Sequence, residues 1–476
     1  MTKAGLDKGA VVAVIGAGTM GAGIAQVAAA AGHPVLLHDA KEGAAEAGLA
    51  RLASGLEGQV RRGRLAQDAA EALFARISVA PELEDLGPAA LAVEAVVERL
   101  EVKQQIFSRL EGILTQTAVL ASNTSSISVT AIGAGLARPG NLVGMHFFNP
   151  APVMKLVEVV SGLATDPDVA ALVHATATDW GKVAVHANST PGFIVNRVAR
   201  AYYGEPLRLL EEGMADPATL DALLTRGGGF RMGPFALMDL IGNDVNLAVS
   251  RSVFEAYHGE PRFRPSILQQ EMVAAGWLGR KSGRGFYDYS EGAPSPQPAE
   301  TAPDATAGLW PAVVPGEEAR QGGVLVAPTD GRTAAARAAE EGCPVILTDL
   351  LAASGEGQRL GYAASPDLPA AAEARLVATL AAQGIKATRL PDWPGLVVLR
   401  VLALIANEGF EAVQQGVAAE ADIDAAMVNG VNYPQGPIGW ARQIGLDRVL
   451  AVLTRLQEAT GDMRYRPSVA LRRAAG

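Results

Sequence analysis

The sequence predicts a parallel, doubly wound α/β sheet followed by an all-α domain, then a reduced α/β segment and a second copy of the same all-α domain. Three observations predict it. Short apolar, β-branched runs alternate with helical stretches through the N-terminal third of the chain. A glycine-rich turn joins the first run to the first helix. A helical segment that begins at Pro191 recurs from Pro394, 203 positions later.

The elements follow in order. Val11–Ile15 reads as a strand, Gly16 to Thr19 as its turn, and Met20–Ala31 as a helix that Gly32 ends; Val35–His38 is the next strand. A helix-rich stretch runs to about Ala75, and further strands fit Ala90–Val97, Ala118–Ser122 and Leu142–His146. After "NSTPGF" the pattern turns helical from Gly192 to about Gly276, and "GRKSGRGFYDYS" closes that region. The Pro-, Ala- and acid-rich "EGAPSPQPAETAPDATAG" reads as a linker. The expected boundaries are 8–190 for the sheet domain, 191–290 for the helical domain and 291–309 for the linker. A degenerate α/β segment spans 310–390, with "VLVAP" and "PVILTDL" around an alanine-rich helix and no glycine fingerprint, and the second helical copy spans 391–476. At the repeat offset Gly213 meets Gly416, Asp221 meets Asp424, and Gly233-Pro234 meets Gly436-Pro437.

Composition narrows the function. Of 476 residues, 49% are hydrophobic and 19% charged, enough for large cores; the net charge of −10 argues against a general nucleic-acid binder. The single cysteine, Cys343, forms no internal disulfide, which fits a reducing compartment. No apolar run reaches the length of about 18 residues that a membrane span needs. The N-terminus has no secretory h-region, so the expected location is cytoplasmic and no membrane partner is expected.

Gly16, Gly18 and Gly21 make a G-x-G-x-x-G turn between a strand and a helix, with Thr19 and Met20 inside it. The first glycine permits the tight turn, the second lets backbone approach a pyrophosphate, and the third lets the helix pack closely on the sheet. The helix start attracts phosphate. Asp39, after the next strand, accepts from a ribose and repels a 2′-phosphate, so a Rossmann-type domain that binds NAD rather than NADP is predicted; Lys41 nearby pulls the other way. In "GMHFFNPAPVMKLVEVV", period-2 alternation sets Glu158 between apolar neighbours. A buried carboxylate needs a partner, and His146 lies just upstream. A carboxylate on one imidazole nitrogen fixes the tautomer and leaves the other to take a proton, which suits alcohol oxidation. A structural His and a buried Glu that each find backbone partners is the alternative.

"GAGTMGAGIAQ", "SNTSS", "GMHFFNPAPVMKLVEV", "TPGFIVNR" and "GRKSGRGFYDY" occur in this order, and the chain resembles the L-3-hydroxyacyl-CoA dehydrogenase family over residues 8–290. The remainder resembles the longer bacterial members with a degenerate second unit, some of which serve phenylacetate degradation. The resemblance implies oxidation of (S)-3-hydroxyacyl-CoA to 3-oxoacyl-CoA with NAD, on 3-hydroxyadipyl-CoA or 3-hydroxybutyryl-CoA. It implies His146 as base, Glu158 as its partner, and Ser125 and Asn196 at the substrate. It implies Asn149, Glu98, Lys103 and Lys281 as cofactor contacts; a turn asparagine, an exposed helix-start charge pair and a loop cation are the plainer readings. Arg61 and Arg62, with Arg64, are candidates for coenzyme A phosphates or simply a solvated face. The resemblance also raises the question whether the two helical copies pair inside one chain or chains pair as a homodimer. In the second copy Leu399 stands where Asn196 does in the first, which marks that copy as structural. The rival functions are an NAD-dependent dehydrogenase of a non-CoA 3-hydroxy acid and a non-catalytic NAD-binding assembly protein.

Overall fold

The computed structural model describes residues 4–311 and 313–476. Their contacts divide into two compact units. The first runs up to Val195 and includes Gly416–Val431; the second is Asn196–Gln415 with Asn432–Gly476.

The first unit is an eight-stranded sheet. Its strands are β1 (Val11–Ile15), β2 (Val35–His38), β3 (Ile77–Val79), β4 (Ala89–Glu94), β5 (Val119–Ser122), β6 (Leu142–Phe147), β7 (Leu156–Ser161) and β8 (Val183–Asn188), in spatial order 3-2-1-4-5-6-7-8. Strands β1 to β6 run parallel, as the alternation of strands and helices predicts. β7 runs antiparallel to β6, and β8 follows β7 in parallel, so the sheet is mixed rather than parallel throughout. The reason is the connection: only residues 148–155 join β6 to β7, too few for the crossover of about a dozen residues that parallel neighbours need. That reversal sets His146 directly opposite Glu158 in the ladder. The two strands the sequence reading did not resolve are β3, three residues long, and β8, whose inward positions are only Val185 and Ala187.

The order reverses around β1, where β2 lies on one side and β4 on the other; ligands of such sheets bind in the crevice at the carboxyl ends of these strands. Helices Thr19–Ala30 and Pro167–Asp179 cover the sheet, and the core is Val12, Val14, Ile24, Leu37, Val93, Val143 and Val159 with their neighbours. A helix from late in the chain completes this unit: Glu420–Val431 packs on β7 and β8. The Asn188 N–H donates to the Val417 carbonyl at 2.8 Å, and Gly430 lies so close that a Cβ there would stand 2.5 Å from Leu156.

The second unit holds the helical copies and a five-stranded sheet. That sheet orders β9 (Ala319–Gln321), β10 (Val324–Pro328), β11 (Val345–Thr348), β12 (Arg359–Ala364) and β13 (Lys386–Arg389) as 13-12-11-10-9. The stretch read as a linker is irregular but tied down: the Thr301 N–H donates to Ala387, and Arg359 donates to the Ala299 carbonyl. The repeat reaches further back than Pro191. β7 and β12, and the helices Pro167–Asp179 and Ala370–Ala382, have bounds 203 residues apart. In each half the step into that strand, β6 to β7 and β11 to β12, is antiparallel, and the step after it is parallel.

Helix Val398–Gln414 packs on Arg200–Glu211 through buried ion pairs. Arg197 bonds Glu408 at 2.6 Å, and Arg400 bonds Glu205. These pairs exchange under the repeat, since Arg400 and Glu408 are the counterparts of Arg197 and Glu205. Arg262 and Arg464, also counterparts, reach Glu408 and Glu205 in the same reciprocal way. Among the described residues no helix is long and apolar enough to cross a membrane.

Candidate active site

The turn after β1 is shaped for a dinucleotide. Gly16 has φ +99°, and a Cβ there would meet the Ala95 carbonyl at 2.6 Å. A Cβ on Gly21 would stand 1.7 Å from the Gly16 carbonyl oxygen, so the helix meets the turn there with no room for a side chain. Around Gly18 the space is open, and Gly18 and Thr19 are exposed at the start of helix Thr19–Ala30, whose first N–H groups lack intrahelical partners. Asp39 takes the Ala17 N–H on one oxygen and the Lys41 N–H on the other, which holds its carboxylate over the turn. A cavity of about 450 Å³ lies beside it, lined among others by Asp39, Lys41, Ala80, Glu82 and Arg109. The tight turn, the open step at Gly18 and the carboxylate fit NAD.

The C-terminal edges of β4, β5 and β6 carry the next groups. Glu94, Lys103 and Ser122 are buried, and Lys103 Nζ bonds Glu94 at 2.7 Å and Glu98 at 3.1 Å. Ser122 donates to the other Glu94 oxygen at 2.7 Å. Glu98 in turn gathers the turn Thr124–Ser126: its Oε1 accepts the Thr124 hydroxyl (2.6 Å), the Ser125 and Ser126 N–H groups (3.0 and 3.1 Å) and the Ser126 hydroxyl (2.9 Å). Burial pushes the Glu98 carboxyl up, but Thr124 and Lys103 outweigh it and hold it below its ordinary value. The plainer alternative to a cofactor contact, an exposed pair at a helix start, does not hold for Lys103, which is a buried cation between two carboxylates. Glu94 was missed by sequence reasoning; a strand ending in Glu after five apolar residues was the available signal. Asn123 accepts the Phe147 N–H at 2.8 Å, which ties the serine turn to the end of β6.

His146 and Glu158 meet across β6 and β7. His146 Nδ1 lies 2.6 Å from Glu158 Oε2, and both residues are buried. Glu158 Oε1 accepts the Ile194 and Val195 N–H groups at 3.1 and 3.0 Å. The Phe148 and Phe193 rings flank the imidazole at 4.5 and 5.8 Å. With Nδ1–H directed at the carboxylate, Nε2 is the nitrogen left to accept a proton.

Family models agree with this arrangement. That of the 3-hydroxyacyl-CoA dehydrogenase NAD binding domain matches residues 11–190, and that of the same enzymes' C-terminal domain matches 192–289 and again 395–475. A third, the 3-hydroxybutyryl-CoA dehydrogenase reduced Rossmann-fold domain, matches 326–394. The chain belongs to the 3-hydroxyacyl-CoA dehydrogenase family. It is 45% identical to the 3-hydroxyadipyl-CoA dehydrogenase of Escherichia coli K12 over 98% of this chain and 97% of that one. It is 44% identical to a probable 3-hydroxybutyryl-CoA dehydrogenase of Bacillus subtilis, which covers 59% of this chain and 97% of its own. A crystal structure of 3-hydroxybutyryl-CoA dehydrogenase from Escherichia coli K12 superposes with a TM-score of 0.94 at 44% identity, covering 99% of this chain and 98% of that one. NAD is the cofactor of this dehydrogenase.

The other residues expected in the dehydrogenase site are placed as follows. Asn149 is exposed in the connection after β6, where the Asn149–Pro150 peptide is cis. Asn196 is the first residue of the second unit, directly after the Val195 N–H that Glu158 holds. Lys281 is also in the second unit, half-exposed and paired with Asp244 at 2.6 Å. Arg61 ends helix Ala44–Arg61, with Arg62 as its cap, and both are exposed; cations at a helix C-terminus are favourable without any ligand.

Proposed function

We propose that this dehydrogenase oxidises (S)-3-hydroxyadipyl-CoA, and 3-hydroxybutyryl-CoA less efficiently, to the 3-oxoacyl-CoA in the cytoplasm. The His146–Glu158 pair carries the chemistry. His146 Nε2 takes the hydroxyl proton, and Glu158 stabilises the imidazolium that forms. NAD, which the Gly16–Gly21 turn and Asp39 would hold, would supply the acceptor for the hydride that leaves C3. Ser125, on the turn that Glu98 holds, orients the 3-oxygen, and Asn196 binds the thioester carbonyl. Glu98, which is exposed, is a ribose-side cofactor contact, and Asn149 is the nicotinamide-side one. The dicarboxylic substrate is supported by the full-length relative of that name, and the full-length structure named for 3-hydroxybutyryl-CoA supports the second substrate.

The second half bears on assembly. The reciprocal buried ion pairs of the two helical copies support pairing of these copies within one chain rather than between the chains of a homodimer. A panel of 3-hydroxyacyl-CoA thioesters, followed as NADH formation, tests the substrate. The highest kcat/KM is expected for the dicarboxylic six-carbon thioester, and a preference for four-carbon substrate refutes that assignment. His146→Gln should lower kcat by about 10²–10⁴-fold with NADH affinity unchanged; wild-type turnover would refute the base.

A further inference from the structure

The two oxygens of Glu158 have different partners, and the second copy separates their roles. Oε2 bonds His146, while Oε1 accepts from Ile194 and Val195, where the helix Val195–Val198 begins. The first N–H groups of a helix have no partner inside it, and leaving them buried and unpaired is costly. At the repeat offset, His146 becomes Asp349, Glu158 becomes Gly361, and Ala187 becomes Leu390. The base is gone, and so is the carboxylate from its strand. A Cβ on Gly361 would stand 2.8 Å from Leu390 Cδ1, so the space Glu158 occupies in the first copy is filled there.

The helix start is nevertheless held by a carboxylate. Asp349 accepts the N–H groups of Val397 (3.0 Å), Val398 (2.7 Å) and Leu399 (3.0 Å), the counterparts of Ile194, Val195 and Asn196. The preceding residues, Phe193 and Leu396, share positive φ values of 46° and 54°, so the chain enters both helices the same way. The anion has moved from the seventh strand's position to the sixth's and kept one task.

We infer that Glu158, whose charge the function proposed above already assigns to the imidazole, is also a positioning residue through its second oxygen, which anchors the helix start that precedes Asn196. The anchor is the duty that the second copy retains on Asp349, and it does not rest on that function.

Glu158→Gln and Glu158→Ala separate the two duties. The amide keeps an acceptor oxygen for Ile194 and Val195 but offers His146 a donor, which reverses the tautomer. It should lower kcat at least about 100-fold, with KM for acetoacetyl-CoA and amide exchange at 194 and 195 as in the wild type. Alanine should lose kcat equally, raise KM about tenfold and speed exchange at those amides about tenfold or more. Equal KM and equal exchange in the two variants would overturn the anchor. Wild-type kcat in Glu158→Gln would instead overturn the base reading, while the exchange difference still supports the anchor.

The second copy gives an arm that needs no catalysis. Asp349→Ala should speed exchange at 397–399 about tenfold or more. Adding Gly361→Glu and Leu390→Ala returns the carboxylate to the position it has in the first copy and makes room for it. Protection at Val397 and Val398 should then return. Exchange as fast as in Asp349→Ala alone would overturn the inference, and this arm decides it if Glu158→Ala fails to fold.

Discussion

Arg400→Met tests the pairing of the helical copies. Arg400 and Glu205 are both buried, and the Glu205 carboxylate also accepts the Tyr465 hydroxyl at 2.8 Å and faces Arg464 at 3.7 Å. Burial pushes the Glu205 carboxyl up, but Arg400 and Arg464 outweigh it and hold it below the ordinary 4.5. Methionine keeps most of the apolar stem and removes the cation. Breaking a buried pair from one side costs about 3–5 kcal/mol, because the remaining charge is stranded. Tyr465 and Arg464 stay, so the lower end, about 3 kcal/mol at pH 7, is expected. The sign of the pH dependence also follows. In the wild type Glu205 contributes stability above pH 4.5, and that is lost as pH falls through its depressed pKa. In the variant burial dominates and the folded pKa rises above 4.5, so the variant binds a proton on folding and recovers stability as pH falls. Urea unfolding of the full chain, followed by circular dichroism at pH 7 and pH 5, measures both. The penalty should be smaller at pH 5, and adding Glu205→Gln should return more than about 1 kcal/mol at pH 7. A loss below about 1 kcal/mol at pH 7, or the same loss at both pH values, would refute the reasoning.

Other perturbations probe the first unit and the helical domain. Glu98→Ala removes the acceptor of four donors in the serine turn and should lower kcat/KM about 10- to 100-fold in steady-state assays. Gly21→Ala drives a Cβ into the Gly16 carbonyl and should weaken NADH binding at least about tenfold by fluorescence titration. Asp221 accepts from Tyr287, Phe235 and Ala236, yet burial raises its pKa from 3.8 to about 6. The folded state therefore holds a proton that the unfolded chain releases, and stability falls as pH rises from 3.8 to about 6. That group alone removes about 3 kcal/mol across the window; Asp221→Asn should flatten the slope in urea unfolding at pH 4 and pH 7.

Much of the molecule was legible because its signals are local. A G-x-G-x-x-G between strand and helix, or a glutamate in an apolar strand, states its requirement within a few residues. What was not legible depends on how the chain folds back on itself. Lys103 reads as a cofactor contact or an exposed helix-start cation, and only the fold of the turn after β4 shows it buried between Glu94 and Glu98. Helix Glu420–Val431 shows an ordinary pattern and gives no sign that it packs on β7 and β8, strands more than 200 residues earlier. The antiparallel turn of β7 was implicit in the short connection from β6. Its consequence, the direct facing of His146 and Glu158, needed the register.

The duplication separates the demands of folding from those of chemistry within one chain. The second half keeps the groups that hold helices together: Arg400 and Glu408 match Arg197 and Glu205, and a carboxylate still anchors the helix that follows its sheet. It lacks the glycine turn, and where the first half has His146, Glu158 and Asn196 it has Asp349, Gly361 and Leu399. A half under no constraint would have lost its buried ion pairs as readily as a catalytic dyad; one stranded charge costs about 3–5 kcal/mol, so stability alone is enough to retain the pairs. The pattern of retention therefore follows burial cost: groups that would strand a charge or an amide persist, and groups needed only to move a proton do not. By that reasoning, Glu158 combines in one side chain a task of each kind, and only the one set by burial has a counterpart in the second half.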